Sequence, residues 1–390
     1  MTRPRLLFWV QHLLGIGHLR RAATLTRALR AAQFDVTLAS GGFPVPGLSV
    51  GTADFVQLPP ARAVDVYFKD LRDADDRPLD DAWRADRRRH LLDLYDSVRP
   101  DIVLTELFPF GRRQFAFEVE PLLDAARADP RRPLIAASVR DILVQPGKPE
   151  RIDEMIARAE RWYDQVLVHG DPALVGFEET FPRLAAIADR VRYTGYVVES
   201  RRRPTSPEDG GGDGGEILVS AGGGAVSEPL LRAAIAARPL TRAAAAPWRI
   251  LVGHSLPDAV FADLKAGSEA GVTVERARPD FTRLLRSARL SISQGGYNTV
   301  MEVLDARVPA VIVPYAGGLE TEQTLRAERL AARTTIQVVP EEALDPAHLA
   351  RAVDNALAAG PPTLDSLDMA GARATPRLLR TALAAHRRTR

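Results

Sequence analysis

The sequence predicts an α/β protein built from two doubly wound parallel sheets, and three observations carry that prediction. Short apolar runs alternate with amphipathic helix patterns along the chain, as expected for parallel strands covered on both faces. The alternation breaks once, at residues 200–215, and then restarts. With 390 residues, each half is long enough to bury its own core.

In the first half, residues 5–10 and 35–39 read as strands around a helix over 18–32, in which Ala22, Leu25, Leu29 and Ala32 share one face. Further strands are expected at 101–107, 134–139, 165–169 and 190–197, and the polar, acidic stretch 60–82 reads as a long loop or lid. Residues 200–215 contain Arg201-Arg202-Arg203-Pro204 and then Gly210-Gly211-Gly212-Asp213-Gly214-Gly215. Such a segment cannot fill a core and reads as a flexible linker. It divides a domain at 1–199 from one at 216–362, with a helical segment at 363–390. Strands of the second half are expected at 216–221, 249–253, 272–276, 290–293 and 310–313.

Charged residues make up 26% of the chain and nearly cancel, leaving a net charge of +2. No basic stripe marks a nucleic-acid partner. The absence of cysteine excludes disulfides, thiolate nucleophiles and Cys-ligated metals, and fits a reducing compartment. Arg3 and Arg5 precede an apolar run, but His12 and Gly15 interrupt it before a signal-length core forms, so it reads as the first strand. No stretch approaches the ~20 apolar residues of a membrane span. The expectation is a cytoplasmic protein, at most peripheral at the inner face of the membrane.

The most informative segment is Ser293-Gln294-Gly295-Gly296-Tyr297-Asn298-Thr299, which closes one expected strand and opens a helix patterned by Val300, Val303 and Leu304. A strand, a glycine turn and a helix N-terminus together form a place where free N–H groups and the helix dipole hold a phosphate. Glu302 lies one turn into that helix, and a carboxylate suits a diol because it accepts two donors. One strand later comes Glu322-Gln323. A second glycine loop, Gly222-Gly223-Gly224, follows the strand ending at Ser220-Ala221. In the first half, Gly15-Ile16-Gly17-His18 follows the first strand, with Arg20 and Arg21 standing where a dinucleotide fingerprint would have its third glycine. The dipole at a helix N-terminus favours a neutral His18, able to accept a proton at neutral pH. Each motif also has a plainer reading: a helix-capping histidine, an ordinary strand-to-helix turn, or a solvated helix face.

Together these segments resemble the MurG-like glycosyltransferases, whose C-terminal domain is that of family 28. The Gly15–His18 loop resembles their N-terminal loop. Gly-Gly-x-x-Thr with Glu302 three residues on, followed by Glu322-Gln323, resembles their donor half. The resemblance implies the GT-B fold: two Rossmann-like domains facing across a cleft, the last helix crossing back to the first. It implies inverting, metal-independent transfer of a hexose or N-acetylhexosamine from a nucleotide diphosphate sugar, a UDP-sugar, with no cofactor required. His18 would then be the catalytic base, and Gly17, Ser220, Gly222, Gly223, Gly224, Gln294, Gly295, Gly296, Asn298, Thr299, Glu302, Glu322 and Gln323 would meet the donor. The sequence departs from the family in having Gly222 for a serine, Gln294 for a basic residue, and Tyr196, Val197 and Glu199 for Asn, Pro and Arg. Asp73-Ala74-Asp75 matches the metal motif of the other glycosyltransferase fold but has no strand before it, and is set aside.

Glu106, Arg140 and Asp141 end expected strands and are the acceptor-side candidates, with structural ion pairs an equal alternative for the last two. The sequence does not identify the acceptor, a lipid-linked molecule or a polysaccharide being among the classes considered. A nucleotide-sugar hydrolase or 2-epimerase of the same fold, or a non-catalytic nucleotide-sugar-binding protein, are the rival readings.

Overall fold

The computed structural model describes residues 3–65, 67–144, 148–198, 215–221, 228–278, 280–317, 320–363 and 367–388. Most of the expected linker and the glycine loop Gly222–Gly224 lie outside the described residues. The chain divides into unit 1, Met1–Val198 with Asp368–Arg390, and unit 2, Glu199–Leu367.

Unit 1 begins β1 (Arg5–Val10), α1 (Gly17–Ala31), β2 (Asp35–Ser40) and β3 (Asp54–Gln57), followed by the short antiparallel pair β4 (Arg62–Ala63) and β5 (Leu71–Arg72). It continues with α2 (Asp81–Val98), β6 (Ile102–Glu106), α3 (Ala116–Ala128), β7 (Leu134–Arg140), α4 (Pro149–Trp162), β8 (Gln165–His169) and β9 (Val191–Tyr193). The sheet order is β3-β2-β1-β6-β7-β8-β9, with parallel pairing throughout. Alternate residues of each central strand enter opposite core layers: Leu7, Trp9 and Val103 on one face, Leu6, Phe8 and Leu104 on the other. Burial on both faces is what makes these strands read as continuous apolar runs.

Unit 2 holds β10 (Ile217–Ser220), α5 (Glu228–Ala237), β11 (Trp248–Val252), α6 (Asp258–Ala266), β12 (Val272–Arg276) and α7 (Phe281–Ser287). Then come β13 (Leu290–Ser293), α8 (Tyr297–Ala306), β14 (Ala310–Ile312), α9 (Glu322–Ala331), β15 (Gln337–Val338) and α10 (Pro346–Ala359). Its parallel sheet runs β12-β11-β10-β13-β14-β15.

The chain then returns to unit 1 as α11 (Gly371–Arg388), whose Leu379, Ala382 and Leu383 pack with Leu6, Phe8, Leu19 and Leu25. The return is pinned where Tyr196 N–H donates to Asp368 O at 2.7 Å and Gly371 N–H to Tyr196 O at 3.0 Å. A Cβ at Gly371 would lie 2.4 Å from Gly195 O, so only glycine allows this approach.

The edge strands β3 and β15 were not expected. They are four and two residues long and only partly buried, and so lack an apolar run. The supposed loop at 60–82 contains the β4–β5 pair. In each sheet the strand order reverses direction at one point, between β1 and β6 and between β10 and β13. Ligands of open α/β sheets bind beyond the carboxyl ends of strands at such reversals.

Candidate active site

At the reversal point of unit 1, His18 near the start of α1 meets Glu106 at the end of β6, with Nδ1 2.9 Å from Oε1. An ionised carboxylate only accepts, so the proton belongs on Nδ1 and Nε2 keeps a lone pair. Among the described residues Nε2 has no hydrogen-bond partner. Arg21, one helical turn on, closes on the same Glu106 oxygen, and Ser138 Oγ donates to the other at 2.6 Å. Burial alone would raise the Glu106 carboxyl, but Arg21 and the His18 and Ser138 hydrogen bonds outweigh it and hold it at about 2.

Burial, and then the neighbouring Arg112 guanidinium, push His18 down from 6.5 to about 3 against the opposing pull of Glu106. The imidazole is therefore neutral at pH 7. That matches the expectation, although burial and Arg112 are the leading causes where the sequence suggested the helix dipole. Arg112 is itself lowered to about 10, by burial first and by Arg140 next, and its Nε donates to Gln11 O at 2.8 Å.

Of the acceptor-side candidates, Glu106 is the one placed differently from the expectation. Glu106 is 0% exposed, with its oxygens turned to His18, Arg21 and Ser138, so it is a partner of the histidine and presents no surface to an acceptor. Asp141 is 1% exposed and packs so closely on Gly170 that a Cβ there would lie 2.6 Å from its own. Arg140 is half-buried at the end of β7. Gly17 is the first residue of α1. Behind the loop after β1 lies a buried pair that no sequence motif marks: Arg87 Nε donates to Glu118 Oε2 at 2.8 Å, and its Nη2 to Gln11 Oε1 at 2.6 Å.

In unit 2 the corresponding reversal point brings Ser220 and Ser293 side by side in register. Both hydroxyls are buried and have no hydrogen-bond partner among the described residues. Gly296 stands before α8 in an extended conformation and supplies no side-chain cap to the helix. Gln294, Asn298, Thr299 and Glu302 are half-buried around this turn. A Cβ at Gly295 would lie 3.1 Å from both Cβ and O of Gln323, so the glycine turn and the start of α9 are in tight contact.

Glu322 is placed differently from the expected sugar contact. It is 3% exposed, and its Oε1 accepts from Arg326 Nη2 at 2.7 Å, one turn along α9. The same guanidinium donates through Nη1 to Gly295 O at 3.1 Å and lies 5.4 Å from the centre of the Tyr297 ring. Glu322 is thus held in an internal ion pair that fastens the glycine turn. Gln323 Oε1 accepts from Tyr315 N–H at 3.1 Å, tying down the segment after β14. Arg326 carried no sequence motif; its one signal was an acid–base pair spaced i, i+4 on a helix.

Asp73 and Asp75 form a turn: Asp73 Oδ1 accepts from the N–H groups of Asp75 and Arg77, both at 2.9 Å, while Asp75 pairs with Arg77. Among the described residues no group of three or more histidines or carboxylates could hold a metal ion. Likewise, no helix there is long and apolar enough to cross a membrane.

Residues 221–369 match the glycosyltransferase family 28 C-terminal domain. The chain is 29% identical to the UDP-N-acetylglucosamine–N-acetylmuramyl-(pentapeptide) pyrophosphoryl-undecaprenol N-acetylglucosamine transferase of Ectopseudomonas mendocina, over 50% of this chain and 54% of that protein. The chain spans about half the length of the curated relatives it matches. Among solved structures, it is similar to the calicheamicin glycosyltransferase CalG4, with a TM-score of 0.59 and 18% identity over 99% of this chain and 95% of that one. It is also similar to MurG of Acinetobacter baumannii, with a TM-score of 0.58 and 16% identity over 97% of this chain and 99% of that one. These likenesses establish the fold. Residues 221–369 thus match the glycosyltransferase family 28 C-terminal domain, within a chain that has the GT-B fold and resembles the MurG-like glycosyltransferases.

Proposed function

We propose that the chain is an inverting hexosyltransferase that moves a hexose or N-acetylhexosamine from a nucleotide diphosphate sugar, a UDP-sugar, to a hydroxyl acceptor. The observation that carries this reading is the pairing of His18 with Glu106, which leaves Nε2 of a neutral imidazole as a proton acceptor at the sheet's reversal point. In this reading Nε2 takes the acceptor's hydroxyl proton as that oxygen attacks the anomeric carbon, and the bond to the diphosphate breaks in the same step. Glu106 offsets the charge that develops on the imidazole, as an oriented carboxylate does for a catalytic histidine. The departing diphosphate is received by the backbone N–H groups at the start of α8. Glu302 accepts from the ribose hydroxyls, and Gln294, Asn298, Thr299 and Gln323 line the donor side. The donor site belongs to the domain matching family 28, and the name of the Ectopseudomonas relative, a UDP-sugar-dependent transferase, favours UDP. A lipid-linked acceptor, and with it a peripheral position at the inner membrane face, is likewise favoured by that relative's undecaprenol substrate.

The test incubates the full chain with a panel of nucleotide sugars and hydroxyl acceptors and reads the product's anomeric configuration by NMR. Transfer with inversion supports the proposal. Release of free sugar whatever the acceptor, or an isomerised sugar, overturns it in favour of a hydrolase or 2-epimerase.

A further inference from the structure

We infer that His169 is a positioning residue for His18, acting through a chain of buried hydrogen bonds across the ends of β6, β7 and β8. The inference rests on the reading of His18 as the base.

The chain has a direction fixed by the chemistry of its members. Glu106 Oε2 can only accept, so the single proton of Ser138 Oγ is committed to it at 2.6 Å. Ser138 Oγ lies 2.8 Å from His169 Nε2 and must therefore accept there, which puts the His169 proton on Nε2. His169 Nδ1 is then a lone pair facing Thr194 Oγ1 at 2.8 Å, a hydroxyl whose one proton is divided between that nitrogen and Gly195 O at 2.7 Å. Glu106, Ser138, His169 and Thr194 are all 0–1% exposed. With water excluded, the ionised carboxylate orients the protons of Ser138 and His169, and the two bonds reinforce each other.

The backbone keeps these groups at fixed spacing. Ser138 pairs in register with Glu106, and His169 with Arg140. The far end is anchored where Thr194 precedes Gly195 and Tyr196, whose N–H is bonded to Asp368 O at 2.7 Å. The result is a Glu106 whose second oxygen cannot turn, so its first oxygen stays on His18 Nδ1–H and Nε2 stays an acceptor. The charged groups facing His18 are Arg21, Arg112 and Glu106, and those facing His169 are Arg21 and Glu106. Burial first, and Arg21 next, keep His169 neutral, as this proton arrangement requires.

The test labels the seven histidines of the full chain with nitrogen-15 and follows the His18 tautomer by NMR, its signal assigned with His18→Gln. In the parent chain the proton should be on Nδ1. Ser138→Ala and His169→Leu should mix the two tautomers, shift the acid limb of kcat/KM, and lower kcat by roughly 10-fold to 100-fold with the nucleotide-sugar KM unchanged, the scale of a slightly misplaced catalytic group. His169→Gln, whose amide N–H replaces the Nε2–H donor, should keep most of the turnover. An unchanged His18 tautomer in both Ser138→Ala and His169→Leu would overturn the inference, as would a His169→Gln variant no faster than His169→Leu. Failure of the base assignment looks different: His18→Ala would turn over at the parental rate while the tautomer still responded to Ser138→Ala.

Discussion

Arg326 donates to the carbonyl oxygen of Gly295 at 3.1 Å while holding Glu322 at 2.7 Å, so the glycine turn before α8 and the first turn of α9 form one braced corner. The guanidinium is wholly buried, with its carbon 5.4 Å from the centre of the Tyr297 ring. Arg326→Met should therefore destabilise unit 2 by about 3–5 kcal/mol, because it strips a buried carboxylate of this cation. Urea denaturation measures the loss. Adding Glu322→Gln to that variant should restore part of it. A Glu322→Gln single variant that loses donor affinity at unchanged stability would return Glu322 to the sugar site.

His18→Ala should leave nucleotide affinity nearly intact while lowering turnover by ~10²–10⁴, the usual scale for losing a general base. His18→Gln keeps a hydrogen-bonding side chain without a basic nitrogen, and so separates proton transfer from acceptor positioning. Parental rates in both variants would make the histidine a structural element and leave the base unassigned.

Glu302→Ala should weaken binding of the nucleotide sugar by about 1–3 kcal/mol, the cost of losing hydrogen bonds to a charged group. Calorimetry on the folded variant decides the matter, and unchanged affinity removes Glu302 from the ribose.

Acid should loosen unit 1. Burial leads in lowering His12, His18 and His169 from 6.5 to about 4, 3 and 3. Below pH 6.5 the unfolded chain takes up protons that the native one refuses, so stability falls as pH falls, by about 1.4 kcal/mol per pH unit for each fully titrating histidine. Glu106, held at about 2 against an ordinary 4.5, continues the trend in more acidic solution. Denaturation midpoints recorded from about pH 7.5 down to about pH 5 should drop steadily; a flat profile would contradict neutral burial of the three imidazoles.

Much of this fold was legible because its central strands are buried on both faces and read as unbroken apolar runs, as in Leu6–Val10 and Ile102–Leu104. The edges were not, since a strand such as β3 needs hydrophobic residues on one side only. The glycine turn at Gly295 and Gly296 and the histidine after Gly17 stood out because backbone freedom and a helix start leave marks in the sequence. Their partners did not. Ser138, two residues before the end of β7, and His169, at the end of β8, lie more than thirty residues from Glu106, and nothing local in sequence ties a serine to a distant carboxylate. Glu106 was picked out for its strand-end position, yet position alone could not say that it turns inward. For Glu322 the resemblance implies a donor contact, and a residue-by-residue resemblance carries no sign of the arginine one turn away that holds its carboxylate.

The placement of α11 also sets the order in which the protein can be made. Leu379, Ala382 and Leu383 complete a core that otherwise comes from the first strands and helix of the chain. They are synthesised only after all of unit 2. At ~5–20 residues per second, the ribosome leaves that apolar face uncovered for on the order of ten seconds or longer, while unit 2 is free to fold by itself. The nascent N-terminal half thus waits with that face open, and loss of residues 371–388 would uncover core residues as far upstream as Leu6.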